Sequence, residues 1–148
     1  MPAMSDIECR DFVTAGTRTA KWATTRGDGR PHLVPVRFVL EGDDLLITTA
    51  SKSVNGRAVL RDPRVALCIG DDRPPYAFVL IEGRATISTD PDEVLRAATL
   101  DARRSVGAER APEYGRLNGG ERMLLVRITP RRWCRRTTSL VNGNRRRP

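Results

Sequence analysis

Residues 31–65 read PHLVPVRFVLEGDDLLITTASKSVNGRAVLRDPRV. Two apolar runs are joined by the acidic turn Glu41-Gly42-Asp43-Asp44, and the second run empties into a polar, basic loop ahead of a short helix. The first run, Leu33 to Leu40, is almost continuously apolar and reads as one strand. It carries Pro35, which has no N–H to give a ladder and so belongs at an edge or a bulge, with backbone groups left over for a ligand. Leu45 to Thr49 is the second strand. Ser53 is placed to cap the helix, and Pro63 ends it because the residue before a proline is pushed out of the helical region.

Toward the N-terminus, Ser5 caps a short helix that runs to about Thr14, with Ile7, Phe12 and Val13 as its apolar residues. Thr17 to Thr25 reads as a strand, and Arg26-Gly27-Asp28-Gly29 turns it into the quoted segment. Toward the C-terminus, Val65 to Ile69 is a buried strand and residues 71–75 are a loop. Tyr76 to Ser88 is the longest strand, with Gly83 marking a bend or bulge inside it. Asp90-Pro91-Asp92-Glu93 is the clearest helix start: an acceptor at the cap, proline at the first position and carboxylates in the first turn. That helix runs to about Arg104 with Val94, Leu95, Ala98 and Ala102 on its apolar side, and Ala111 to Leu117 forms another helical turn. The last strand starts at Met123 and extends past Pro130 toward Arg136. Six to seven strands, few helices and short turns make a mainly β (α+β) fold, an antiparallel barrel with peripheral helices; strands do not alternate with helices as a doubly wound sheet requires.

The chain has 148 residues, one domain's worth, enough to bury roughly 70% of the unfolded surface. Residues 1–140 are read as that domain and 141–148 as a basic, disordered tail. Lys and Arg total 26 against 18 Asp and Glu, a net charge of +8 that favours anionic partners. Seven arginines fall in the last eighteen residues, but Trp133 is the only aromatic among them, so stacking platforms for nucleic acid are lacking and the tail reads as solvated. Cys9, Cys68 and Cys134 lie far apart with no CxxC and no second histidine, which encodes neither a disulfide framework nor a zinc site. No apolar run approaches a signal sequence or the ~18 residues of a membrane span, so a cytoplasmic protein with no membrane partner is expected.

His32, the only histidine, has no carboxylate partner in sequence and no serine or cysteine in a nucleophile motif, and reads as a structural strand-end residue. The glycines form neither GxGxxG nor GxxxxGK[ST], and no carboxylates are spaced like a metal or glycosidase pair. No catalytic side chain and no metal ligand is assigned, and catalysis would belong to a bound organic cofactor. The loop from Thr49 to Arg57 is the exception to this blandness. Ser51, Lys52, Ser53 and Arg57 put hydroxyls and cations beside a helix N-terminus, all able to aim donors at one phosphate.

Four segments carry a resemblance to a known family: TTRGDGRPHLVPVRFV (24–39), SVNGRAVLRDPRVALC (53–68), RPPYAFVLIEGRA (73–85) and AERAPEYGRLNGGERMLLVRITP (108–130). In order and spacing the chain resembles the pyridoxamine 5′-phosphate oxidase-like split β-barrel family, FMN-binding-like in fold, and within it the actinobacterial branch that uses the deazaflavin coenzyme F-420. The resemblance implies a homodimer with the cofactor in the groove between two barrels, and an oxidoreductase passing hydride between F-420 and a small-molecule acceptor. It implies that Val36, Arg37 and Phe38 with Thr48 and Thr49 line the deazaflavin ring, that Ser53, Gly56 and Arg57 sit at the phosphate, and that the Tyr76 region comes from the partner chain. Two positions depart from the family pattern: Arg37 stands where tryptophan is common, and Asn55 where lysine is common. Lys52 or Arg37 could restore the missing charge on the phosphate. An FMN-dependent enzyme of the same fold and a non-catalytic F-420 or flavin binder are the alternatives.

Overall fold

The computed structural model describes residues 3–74 and 76–137, with side chains described to residue 131. The tail expected at 141–148 and the side chain of Cys134 therefore lie outside the described residues. In chain order the elements are α1 (Asp6–Thr14), β1 (Ala20–Thr25), β2 (Pro31–Val36), β3 (Val39–Glu41), β4 (Asp44–Ala50), α2 (Val54–Arg61), β5 (Arg64–Gly70), β6 (Ala77–Ser88), α3 (Pro91–Val106), α4 (Ala111–Asn118) and β7 (Met123–Thr137).

All seven strands join one antiparallel sheet in the order β2-β1-β5-β6-β7-β4-β3. The two edge strands are consecutive in the chain, joined only by Arg37 and Phe38. Laid flat, seven strands at about 4.8 Å spacing would set those edges about 29 Å apart. The link can span only about 11 Å. The sheet must therefore curl until its edges meet, which makes a barrel that is split between β2 and β3.

This corrects the expectation that Leu33 to Leu40 is one strand. The chain pairs with β1 as far as Val36, lets go at Arg37-Phe38, and pairs with β4 from Val39. Pro35 sits opposite Lys21 in an unbroken β1–β2 register, so it marks an edge strand and not a bulge. The first strand also starts at Ala20 and not at Thr17. Gly83 does mark a bulge: the register slips between Glu82 and Gly83, which pair with Arg132 and Pro130, and a Cβ on Gly83 would lie 2.6 Å from the Thr129 carbonyl oxygen.

The caps form as expected. Ser5 Oγ accepts from the Glu8 amide while Glu8 Oε2 accepts from the Ser5 amide at 2.7 Å, a reciprocal capping box. Asp90 accepts from the amides of Asp92 and Glu93. Two faces are corrected. On α1, Cys9 and Val13 are buried and Ile7 is 73% exposed; on α3, Ala97 takes the buried place expected for Leu95.

The barrel interior is filled by Trp22, Phe38, Leu45, Ile47, Leu67, Ile69, Val79, Ile81, Val126 and Ile128, with Val13 of α1 and Val59 of α2 packed into the same core. Arg61 at the end of α2 lies against Gly27 in the β1–β2 turn, while α1 leads directly into the start of β1, so the two helices serve opposite ends of the barrel. A second apolar cluster places Val94 and Ala97 of α3 on Val39, Leu46 and Leu125, covering the outer face of β3, β4 and β7. Among the described residues, none covers the outer face of β2, β1, β5 and β6 in this way. Leu33 is 65% and Leu80 40% exposed there. No helix among the described residues is long and apolar enough to cross a membrane, and no group of three metal-ligating side chains occurs among them.

Candidate functional site

The β3–β4 ladder stops at Val39 opposite Leu46. Beyond it, Val36, Arg37 and Phe38 on one strand and Ile47, Thr48 and Thr49 on the other form two lips of a slit, because β2 turns away to β1 while β4 continues along β7. The slit is thus a consequence of topology. Val36 and Thr48 are half-buried at it, and Thr49 is buried. Phe38 contributes backbone only, since its ring is sunk in the core with the Arg104 guanidinium stacked 4.4 Å above its centre.

Immediately past Thr49, the chain folds into a hydrogen-bonded knot. Ser53 Oγ caps α2 by accepting from the Gly56 amide at 3.0 Å and donates to the Ala50 carbonyl at 2.7 Å. Asn55 Nδ2 donates to Thr49 Oγ1 at 2.8 Å, and that hydroxyl lies 3.3 Å from Ser53 Oγ. The Ser51 amide donates to the Arg122 carbonyl, tying the loop to the residue before β7. Gly56 is required by space, because a Cβ there would lie 2.2 Å from the Ala50 oxygen. Lys52 and Arg57 project from the knot as exposed cations.

The structure therefore brings Thr48, Thr49, Ser51, Lys52, Ser53, Asn55, Gly56 and Arg57 into one corner beside the slit. Asn55 is 8% exposed and holds the knot together, so its side chain faces inward and not toward a phosphate. Arg37 Nε lies 3.3 Å from Asp101 Oδ2 on α3.

Tyr76 is not brought to this corner by its own chain. It precedes β6 at Ala77, whereas the β4 end at Ala50 pairs with Met123, level with the far end of β6 near Ser88. Eleven strand steps separate those ends, on the order of 36 Å. Tyr76 itself is held at φ 57°, a left-handed conformation uncommon for a non-glycine residue, by a turn in which its amide donates to the Arg73 carbonyl. His32 stands at the start of β2 with Nδ1 3.3 Å from Arg26 Nη2.

Two residues that sequence reasoning missed complete the slit. Arg104 on α3 donates to the carbonyls of Phe38 at 2.7 Å and Val13 at 3.2 Å, fastening the β2–β3 link to α1. Asp101 lies one turn earlier and is buried. Burial pushes its carboxyl above the ordinary aspartate range, and the charges of Arg37 and then Arg104 pull it back. A carboxylate within the apolar stripe Val94, Ala97, Ala98 and Ala102 was the available signal, since a buried charge needs a partner.

The model for pyridoxamine 5′-phosphate oxidase matches residues 5–133. The chain belongs to that family. Among solved structures, a conserved hypothetical protein from Mycobacterium tuberculosis is 29% identical with a TM-score of 0.79, covering 90% of this chain and 85% of its own. An F420 reductase shares the fold at 18% identity and a TM-score of 0.64, covering 84% and 94%. The heme storage protein from Vibrio cholerae does so at 15% identity and 0.71, covering 90% and 96%. Among curated proteins none matches. The family's description names an oxidase, and the fold is shared by a reductase and by a heme storage protein.

Proposed function

We propose that this chain is an F-420-dependent oxidoreductase that works as a homodimer, with the deazaflavin ring at the slit and the cofactor phosphate at the α2 corner. The observation that carries the reading is the adjacency of the two features. A topological slit lies beside a capped helix start, with Lys52 and Arg57 exposed and the backbone held open by Gly56. These residues fit a phosphorylated, polyanionic cofactor: two cations and the first amides of α2 offer charge-assisted bonds, each worth about 1.5–3 kcal/mol. The net charge of +8 suits the same partner. The bound deazaflavin would supply the hydride; the chain's own residues hold the ring, exclude water and orient the acceptor.

The bare outer face of β2, β1, β5 and β6 is where a second copy would pack. It presents Leu33 and Leu80 and a depression of about 550 Å³ lined by Ala23, Thr25, Pro31, Ala66, Glu82 and Arg131. In that dimer Tyr76, remote from its own slit, would serve the partner's.

FMN in place of F-420 is the second reading. Equilibrium titration of the purified protein with each cofactor separates the two. Quenching of F-420 fluorescence with one site per chain, and no competition by FMN, is the expected result. Yellow protein carrying FMN that F-420 does not displace would move the assignment to the flavin, and binding of neither would end it.

A further inference from the structure

Arg37 occupies the link by which the chain crosses from one sheet edge to the other. Its Nε is engaged by Asp101 Oδ2 at 3.3 Å, and its side chain is 44% exposed against 9% for Asp101. The terminal nitrogens of this guanidinium make no hydrogen bond with the described residues, so the Nε side is ion-paired and the other end is open to a ligand. Asp101 Oδ1 is buried with no hydrogen-bond partner. A buried carboxylate with an open oxygen costs stability, and an ion pair whose other half is nearly half exposed returns little of it. Holding the fold together therefore explains Asp101 poorly; holding Arg37 in one orientation explains it well. Arg104 stands beside the pair with its own terminal nitrogens committed to backbone carbonyls. Two guanidinium groups against one carboxylate leave a net positive charge at the lip.

We infer that Arg37 is the specificity-determining residue for the electron acceptor, which carries a carboxylate, and that Asp101 is the positioning residue that aims it. A guanidinium with one edge anchored presents two parallel donors, the match for the two oxygens of a carboxylate. The inference rests on the slit being the seat of the redox ring, since a carboxylate on Arg37 then holds the rest of the acceptor over that ring.

The probes are 4-nitrobenzoate and its methyl ester, alike in shape and different in charge, with binding to the full chain followed by ligand-observed NMR in the absence and presence of F-420. The acid is expected to bind about 10- to 100-fold tighter than the ester. Arg37→Ala removes that preference with the ester's affinity unchanged, and Arg37→Lys keeps part of it. Asp101→Asn reduces the preference without weakening the ester, and Asp101→Glu recovers part of it; a merely structural Asp101 would weaken both probes together. Equal affinity for the two probes, or a preference that survives Arg37→Ala, would each overturn the assignment. Should the unmodified chain bind neither F-420 nor FMN, the oxidoreductase reading fails and the acceptor assignment with it, even if the acid preference persists. With cofactor binding intact and the preference absent, the inference alone fails.

Discussion

At Gly56 two residue-scale effects have opposite signs, and magnitude decides between them. Replacing a helical glycine by alanine ordinarily stabilises by about 0.5–1 kcal/mol. Here the new Cβ would meet the Ala50 carbonyl oxygen at 2.2 Å, and the atom in the way is backbone that Ser53 also holds. Over-packing of that kind costs about 1–3 kcal/mol, so Gly56→Ala is expected to lower the urea midpoint and weaken F-420 binding together. A raised midpoint would show that the loop yields freely. Asn55→Ala removes the amide that bonds Thr49 and is expected to cost about 1 kcal/mol. The family resemblance put Gly56, and with it Asn55, at the phosphate. It could not reveal the inward turn of Asn55, because the partner is a hydroxyl whose side of the sheet depends on the completed barrel.

Among the elements, the β3–β4 turn is clamped by charge. Glu41 pairs with Arg96 of α3 and, at 2.9 Å, with Arg127 of β7, which also reaches Asp44 at 3.3 Å. The hydrogen bonds of Arg96 and then Arg127 hold the Glu41 carboxyl down from 4.5 to about 2. With the folded value depressed, the stabilisation is fully present above pH 4.5 and is lost as pH falls toward 2. Glu41 is more than a third exposed, so solvent screening limits the effect to about 0.5–1 kcal/mol. The stability difference between the parent and Glu41→Gln, from urea unfolding, is expected to be present at pH 6 and to shrink by pH 2.5. A difference independent of pH would exclude the clamp. Helix starts and the Gly83 bulge were legible at this scale because local chemistry fixes them. The break at Arg37-Phe38 was not. Val36-Arg37-Phe38-Val39-Leu40 reads as one strand, and only the closure of the sheet forces the chain to change partners there.

For the whole molecule, an antiparallel barrel of six to seven strands was legible from turn spacing and apolar runs, whereas the contacts that shape the slit were not. Arg37 and Asp101 are sixty-four positions apart, as are few pairs that a local pattern can join. The proposed dimer makes a separate demand on the bare outer face. Leu80→Glu is expected to leave the circular dichroism spectrum unchanged and shift the sedimentation mass from two chains to one; two chains in both proteins would place the partner elsewhere. The cofactor seat has the most direct test, a fluorescence titration of F-420 with the parent chain and with Lys52→Ala/Arg57→Ala. A loss of at least about 100-fold in affinity with the fold retained is the expected result. Equal affinity in the two proteins would contradict a phosphate held at the start of α2.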